Sequence, residues 1–246
     1  MWEIPSEKGG ERMKKYNFVN NADNVELNIF CEIGEDFFGN GLSFKEFAEE
    51  LKQYDDRALT INIDSCGGSV FDGVAMANAI KQRKGKTVCN IYSICASIAT
   101  HIACACDEVN CFENSIYMIH LASCGIFANK EEMKKQIEIL DKIDNILAEA
   151  YVNKTGMAKE DILKAMTEET WLTAREAKEM GFVDNILDRQ SAVAQADLSK
   201  YQNVYKNIPS ELLEKHEDKA RLQDEERLKV LNKKIELLKS EIDLLK

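Results

Sequence analysis

Three histidines occur in the 246 residues, so a histidine-dependent reaction has few candidate bases. His120 ends the apolar segment IYMIH, which is typical of a strand, and a side chain at the carboxyl end of a parallel strand can project into a cleft. Ser97 follows another apolar segment and begins a run of small residues typical of a helix, where unpaired backbone N–H groups are exposed. With a carboxylate, Ser97 and His120 would form a set for acyl transfer.

Two alternatives stay open on these residues alone. His101 lies four residues after Ser97, on the same face of the predicted helix, and is a rival base. Serine and histidine in such positions are also common as purely structural residues. The third histidine, His216, lies in a charged tail and is predicted to be solvated.

A glycine pair, Gly67-Gly68, directly follows a second buried strand. Glycine permits positive φ and a close backbone approach that other residues resist. Backbone N–H groups freed at such a turn can bind a developing oxyanion. The alternative is an ordinary tight turn.

The composition excludes several classes of protein. The chain has 43 acidic and 32 basic residues, a net charge of −11, which argues against a general nucleic-acid binder. No apolar stretch at the start resembles a signal peptide. The uncharged segment 87–106 is interpreted as a buried strand and helix, not a membrane span, because polar residues interrupt it. A cytoplasmic protein with reduced thiols is therefore predicted.

The eight cysteines do not indicate a metal site. Cys104, Cys106 and Cys111 are close in sequence but lack CxxC spacing and histidine partners. The sequence also shows no phosphate-binding loop. No metal or other cofactor is predicted, and small buried side chains are the preferred interpretation of the cysteines.

Hydrophobic periodicity predicts alternating strands and helices. Strands are predicted over 25–33, 59–64, 87–94 and 115–120, and residues 182–187 close the domain. Helices are predicted over 43–54, 70–84, 96–105, 131–154, 159–166 and 174–180. This alternation predicts an α/β fold with largely parallel strands.

The chain is predicted to have three parts. Residues 1–25 are polar and without clear periodicity, typical of an arm, and residues 26–190 form the α/β domain. Residues 191–246 combine a polar linker with a helix. In that helix, apolar residues from Leu228 to Leu245 repeat at spacings of 3 and 4, which predicts a two-stranded coiled coil. The alternative is a helix that packs on its own domain.

Four segments, in order, resemble the proteolytic subunit of the Clp protease family. INIDSCGGSVFDGVAMANAI (61–80) resembles its strand–Gly-Gly–helix motif, and CASIATHIA (95–103) its nucleophile motif. IYMIH (116–120) resembles its histidine motif, and residues 154–184 resemble its closing segment. The details FDG, KTG and ETWLTAREAKEMGFVD are more similar to the phage and prophage branch, the head maturation proteases, than to the housekeeping branch.

The resemblance implies a serine endopeptidase and gives each residue a role. Ser97 is implied to be the nucleophile, His120 the general base and Glu169 the acid, with Glu168 as the neighbouring alternative. Glutamate can replace the aspartate of the housekeeping branch, because it too can accept the imidazole N–H and stabilise the imidazolium. The oxyanion donors that the resemblance implies are the backbone N–H groups of Gly68 and Ile98.

Some positions depart from the family pattern. Cys66 stands where the family usually has proline, and Asp64 where it usually has asparagine. Ile94-Cys95 replaces a small pair just before Ala96-Ser97, so added bulk is expected to narrow the site. None of these changes removes a member of the implied triad.

The resemblance also implies a fold and partners. The fold is the ClpP/crotonase type of repeated β-β-α units, with 131–154 as a protruding handle. A homo-oligomeric ring acting on protein or peptide substrates is implied. Residues 1–25 do not match the family's axial segment, which argues against an ATP-dependent unfoldase partner, and the predicted coil favours tethering to a capsid or scaffold protein. No nucleic-acid or membrane partner is predicted.

Two other functions compete with the peptidase. A crotonase-like acyl-CoA enzyme would share the fold but would not need Ser97, His120 and Glu169 together. A catalytically silent, ring-forming scaffold or assembly protein would use only the ring and the coil. A fold alone does not decide among these functions.

Overall fold

The computed structural model describes residues 16–20, 24–35, 41–54, 56–188 and 204–210. The chain divides into two compact units, Met1–Ala196 and Asp197–Lys246. The predicted heptad repeat and His216 lie outside the described residues, so the coiled coil stays a prediction.

One mixed sheet of eight strands organises the described part of the first unit. Its strands are β1 Tyr16–Asn20, β2 Val25–Ile29, β3 Leu59–Ser65, β4 Thr87–Ala96, β5 Glu108–Phe112, β6 Ile116–Ile119, β7 Thr170–Thr173 and β8 Asn185–Leu187. The main order is β1-β2-β3-β4-β5-β8, and β6 pairs with β4 and with β7. The pairs β1–β2 and β6–β7 are antiparallel, and the other pairs are parallel.

Six α-helices flank the strands among the described residues. They are α1 Phe44–Leu51, α2 Val70–Lys81, α3 Ile98–Ala103, α4 Lys130–Thr155, α5 Lys159–Thr167 and α6 Ala174–Glu179. A 3₁₀ turn over Lys52–Tyr54 continues α1. From β2 to β5 single strands alternate with single helices, so the expected grouping of two strands per helix is not the order along this stretch.

Helix α4 is the long helix predicted over 131–154. It has 26 residues and is therefore about 39 Å long. Asn129 caps it through a reciprocal capping box with Glu132, and Gly156, with a φ of +73°, ends it in the left-handed conformation. Of its predicted apolar stripe, Leu147 is buried, whereas Ile137 and Ile146 are exposed.

Four strands, β1, β5, β7 and β8, were not predicted from the sequence. Residues 16–20, predicted to belong to the arm, form the edge strand β1, whose alternate residues Tyr16 and Phe18 face the core. Residues 108–112, between predicted elements, form β5. All four strands have five residues or fewer, too few for their periodicity to stand out from the flanking segments.

A row of six asparagines crosses the sheet on the face opposite the core. It consists of Asn17, Asn28, Asn62, Asn90, Asn110 and Asn185, which are neighbours in the strand register. Each side-chain amide donates to the next carbonyl, at 2.7–3.1 Å, always in the direction from β8 towards β1. Apolar residues flank each asparagine except Asn185, which follows Asp184, and they fill the core side. We call this row the asparagine ladder.

All eight cysteines are free thiols, and only Cys124 is exposed. Burial raises the pKa of Cys104 to about 11 and that of Cys111 to about 12, so both are protonated and inert at neutral pH. Within the described ranges, no cluster of His, Cys, Asp and Glu could hold a metal ion. Within the same ranges, no helix is long and apolar enough to span a bilayer.

Candidate active site

Ser97 occupies a strained turn between β4 and α3. Its φ of +55° and ψ of −132° are rare for a residue with a side chain, and α3 begins only at Ile98, two residues later than the predicted start. Two hydrogen bonds hold the turn: the Ser97 N–H donates to the Met118 carbonyl at 2.9 Å, and the Thr100 N–H donates to the Ser97 carbonyl at 3.0 Å. Strain of about 1–3 kcal/mol persists only where the surroundings fix it, and such positions cluster at functional sites.

The turn is also anchored from the core through Thr100. The Thr100 hydroxyl donates to the Ser97 carbonyl and lies 2.7 Å from the Tyr151 hydroxyl on α4. Thr100 and Tyr151 are both fully buried. The long helix α4 is therefore linked to the serine by a chain of two hydrogen bonds.

His120 follows β6 and reaches Ser97. Its Nε2 lies 2.7 Å from the Ser97 Oγ, a hydrogen-bond distance. Burial lowers the pKa of His120, and the nearby charge of Glu169 opposes this by raising it. Because burial is the larger effect, the imidazole is neutral at pH 7, as a general base must be.

Glu169 immediately precedes β7, the strand that pairs with β6. In this antiparallel pair Ile119 lies opposite Thr170, so the register continued by one residue places His120 opposite Glu169. Glu169 is only 8% exposed and adopts a positive φ of 50°. One carboxylate oxygen, Oε1, accepts the indole N–H of Trp171 at 3.3 Å. Glu168, the alternative acid, is instead within 4.0 Å of Lys164 at the exposed surface.

The glycine pair lies beside the serine. The Gly67 carbonyl accepts the Ile33 N–H, and the Ser69 N–H donates to the Ile33 carbonyl, so both neighbours of Gly68 are tied to the same residue. This is the parallel-bridge pattern, in which the intervening N–H, that of Gly68, points away from Ile33. Ile98 is the first residue of α3, and N–H groups of a first helical turn have no partner within the helix. The two N–H groups predicted to bind an oxyanion therefore belong to Ile98, directly after Ser97, and to Gly68, directly after the Gly67 that packs against the Ser97 turn.

His101, the rival base, points elsewhere. It is 6% exposed, its ring lies edge-on to that of Tyr151 at 6.2 Å, and its Nδ1 is buried without a hydrogen-bond partner. Burial, aided by the positive charge of Lys81, lowers its pKa to about 4. A buried histidine in an apolar contact behaves as a core residue.

The departures from the family pattern do not block this arrangement. Cys66, Ile94 and Cys95 are all buried. Ile94 and Cys95 pair with Ile116 and Tyr117 of β6, so the larger side chains are accommodated as buried residues of the sheet. The contact between Ser97 and His120 forms despite these changes.

Three contributors to the site were not found from the sequence. They are the Met118 carbonyl, the Thr100–Tyr151 pair and the indole of Trp171. The first two depend on contacts between distant segments, and no local pattern signals them. Trp171 follows the candidate acid by two residues, but nothing in the sequence distinguished it from a core residue.

A serine on a strained turn, a neutral imidazole in contact with its hydroxyl, a buried carboxylate opposite that imidazole and two outward N–H groups define a hydrolase of the serine type. Residues 47–190 match the model of the Clp protease family. Because this match spans more than half of the chain, the protein belongs to that family, whose members are serine peptidases.

Similarity to individual proteins agrees with the family match. The chain is 27% identical over 162 residues to ATP-dependent Clp protease proteolytic subunit 1 of Chlamydia abortus, covering 61% of this chain and 84% of that protein. It is 25% identical over 190 residues to the ATP-dependent Clp protease proteolytic subunit of Chlorella vulgaris, covering 75% and 91%. The fold is similar to that of a ClpP1 mutant from Listeria monocytogenes, with a TM-score of 0.58 and 23% identity over 67% of this chain and 92% of that one.

Proposed function

We propose that this protein is a serine endopeptidase that uses Ser97 as nucleophile, His120 as general base and Glu169 as the acid. The observation that carries the proposal is the 2.7 Å separation of His120 Nε2 and Ser97 Oγ. Membership of the Clp protease family supports the reaction class, and the geometry of the described residues supports the role of each side chain.

The arrangement suits acyl transfer in two steps. His120 Nε2 takes the Ser97 proton as Oγ attacks the peptide carbonyl, and the resulting oxyanion accepts hydrogen bonds from the N–H groups of Gly68 and Ile98. The imidazolium then gives its proton to the leaving amine as the C–N bond breaks, which leaves an acyl-enzyme. Water, activated by His120, hydrolyses that ester and restores Ser97. Glu169 stabilises the imidazolium through its negative charge, the effect already visible on the pKa of His120.

A homo-oligomeric ring is part of the proposal. Four apolar side chains on α4, Met133, Ile137, Ile139 and Ile146, are 45–59% exposed. Met133 and Ile137 lie on one face of the helix, and Ile139 and Ile146 lie on another. Exposed apolar pairs of this kind favour a surface that another protein chain covers. The resemblance to the family favours a second copy of this chain as that partner, with the substrate cleaved inside the assembly.

We further propose the narrower role of a phage or prophage head maturation protease. The sequence details FDG, KTG and ETWLTAREAKEMGFVD support it, together with the predicted tail coil, which would tether the peptidase to a capsid or scaffold chain. Cleavage of the capsid or scaffold protein encoded beside this gene, located by sequencing the new termini, is the expected result. Intact capsid and scaffold chains in the presence of an active enzyme would overturn this narrower role alone.

The experiment for the peptidase is intact-mass analysis after exposure to a fluorophosphonate probe. We expect one adduct on the wild-type protein and none on Ser97→Ala. Ser93→Ala is the matched control, since it removes a buried hydroxyl from β4, the strand that leads to Ser97, and should label like the wild type. Failure of the assembled wild-type protein to label would favour the silent scaffold over the enzyme.

A further inference from the structure

We propose that Trp171 is a positioning residue, whose indole N–H holds the Glu169 carboxylate in the orientation that serves His120. This inference rests on the proposed function, because it concerns the acid of that triad. It assigns a role to a side chain that does not touch Ser97 and that no sequence pattern identified.

The contact itself is specific. Glu169 lies in the turn directly before β7, and Trp171 is the second residue of that strand, so the contact joins the turn to the strand. An indole N–H can only donate, and here it engages Oε1 of Glu169 at 3.3 Å. One carboxylate oxygen is thereby held by Trp171, which limits the rotation of the carboxylate group whose charge acts on His120.

The position of Trp171 in the sheet makes this contact rigid. Trp171 is the register partner of Met118, the residue whose carbonyl accepts the Ser97 N–H. The nucleophile turn and the holder of the acid are therefore fixed by the same strand pair. Movement of β7 relative to β6 would change the distance between Glu169 and the Ser97 turn, and the pairing of these two strands opposes it.

The chemistry explains why a holder is useful. Glutamate has one more rotatable bond than aspartate, so a free glutamate carboxylate samples more orientations. A carboxylate that moves away from the imidazole stabilises the imidazolium less, so the transfer of the Ser97 proton to His120 becomes slower. A fixed donor on the same strand restricts the carboxylate at its far end.

The test uses the full chain, with the rate of fluorophosphonate labelling of Ser97 measured across pH. Trp171→Phe keeps the ring and removes the N–H donor. We expect labelling to slow by about tenfold, the loss that corresponds to one hydrogen bond to a charged group. The midpoint of the pH profile should also move to lower pH, because Glu169 is the charged group that raises the pKa of His120 and its effect weakens.

Two further variants separate positioning from a general loss of structure. Replacement of Trp171 by 3-benzothienylalanine keeps the shape of the bicyclic ring without its N–H, and it should reproduce the effect of Trp171→Phe. Thr170→Val removes a different hydrogen bond of β7, the one from the Thr170 hydroxyl to the Ala165 carbonyl at 2.7 Å. It should leave the pH profile unchanged.

A double-mutant cycle gives the final criterion. In a Glu169→Gln background, Trp171→Phe should cause no further loss, since Trp171 acts through the Glu169 carboxylate. Equal rates and midpoints in wild type and both N–H-free variants would overturn the inference and leave the proposed function intact. A midpoint shift of the same size in Thr170→Val would also overturn it. An unlabelled wild-type protein would overturn the proposed function, and this inference with it.

Discussion

A Cβ atom placed on Gly67 would lie 2.7 Å from the Cβ of Ser97 and 2.8 Å from the Ala96 carbonyl oxygen. Contacts this short do not occur between real side chains and their neighbours, so the two turns can meet only because residue 67 has no side chain. The φ of Gly67, +93°, is also one that other residues rarely adopt. The Gly67-Gly68 turn and the Ser97 turn are thus packed backbone to backbone.

Gly67→Ala should therefore disable the site without unfolding the sheet. We expect the rate of fluorophosphonate labelling to fall by about a hundredfold, since a displacement near 1 Å has that effect on catalysis. Gly125→Ala is the control, because a Cβ there meets no atom within 4 Å. Equal labelling of the two variants would contradict the packing argument.

The two histidines should behave oppositely when removed. His120→Ala deletes the group in contact with Ser97 and should abolish labelling and peptide cleavage. His101→Ala removes a buried ring that contacts Tyr151, so it should lower stability while the folded protein still labels. Retained turnover in His120→Ala would mean that another base serves Ser97.

His101 should make the protein sensitive to acid. Its pKa is about 4 when folded, and an unfolded histidine titrates near 6.5, so the unfolded chain binds more protons between these values. Stability is full above pH 6.5 and falls as the pH drops towards 4, by about 3 kcal/mol in total from this residue. Urea unfolding of His101→Phe at pH 7 and pH 4.5 should show a smaller loss than the wild type. An identical loss in both proteins would assign the acid sensitivity to other groups.

The asparagine ladder should be most vulnerable at its centre. Asn62→Ala leaves the Asn28 carbonyl and the Asn90 amide without their partners, both on a crowded sheet face. We expect a loss of about 2–4 kcal/mol in the free energy of unfolding, measured in urea. Asn17→Ala, at the exposed end, removes only one bond and should cost less than about 1 kcal/mol. Similar losses at both positions would mean that the rungs are equivalent.

Much of the fold was predictable because its elements carry strong local signals. The Ser43 cap and the amphipathic pattern after it predicted α1, with an end three residues beyond the observed Leu51. Gly181, with a φ of +84°, follows α6 as predicted. The strand β5 was missed because its sequence, EVNCF, alternates over too few residues. The edge strand β1 was missed because its pairing with β2, not its own pattern, determines its conformation.

The contact between Ser97 and His120 could be predicted from the sequence, but the residues that hold these two side chains in place could not. The order of the four family motifs pointed to Ser97 and His120, and the structure brings these two together. Apart from these motifs, the sequence did not determine which histidine contacts Ser97. His101 instead packs against Tyr151 of α4, a residue 50 positions away in the chain. The Met118 carbonyl and the Trp171 indole depend on strand register, which one sequence does not contain.

The ladder also constrains how this sheet can be assembled. Side chains alternate with a period of two, so a strand shifted by two residues would still direct its apolar side chains to the core. Hydrophobic patterning therefore does not distinguish the correct alignment from that error. A shift of two would move an asparagine away from both neighbours and break the amide chain on each side. The row of asparagines consequently favours the correct register of the strands. The position of Ser97, directly after β4, therefore depends on how the sheet assembles as well as on the local sequence.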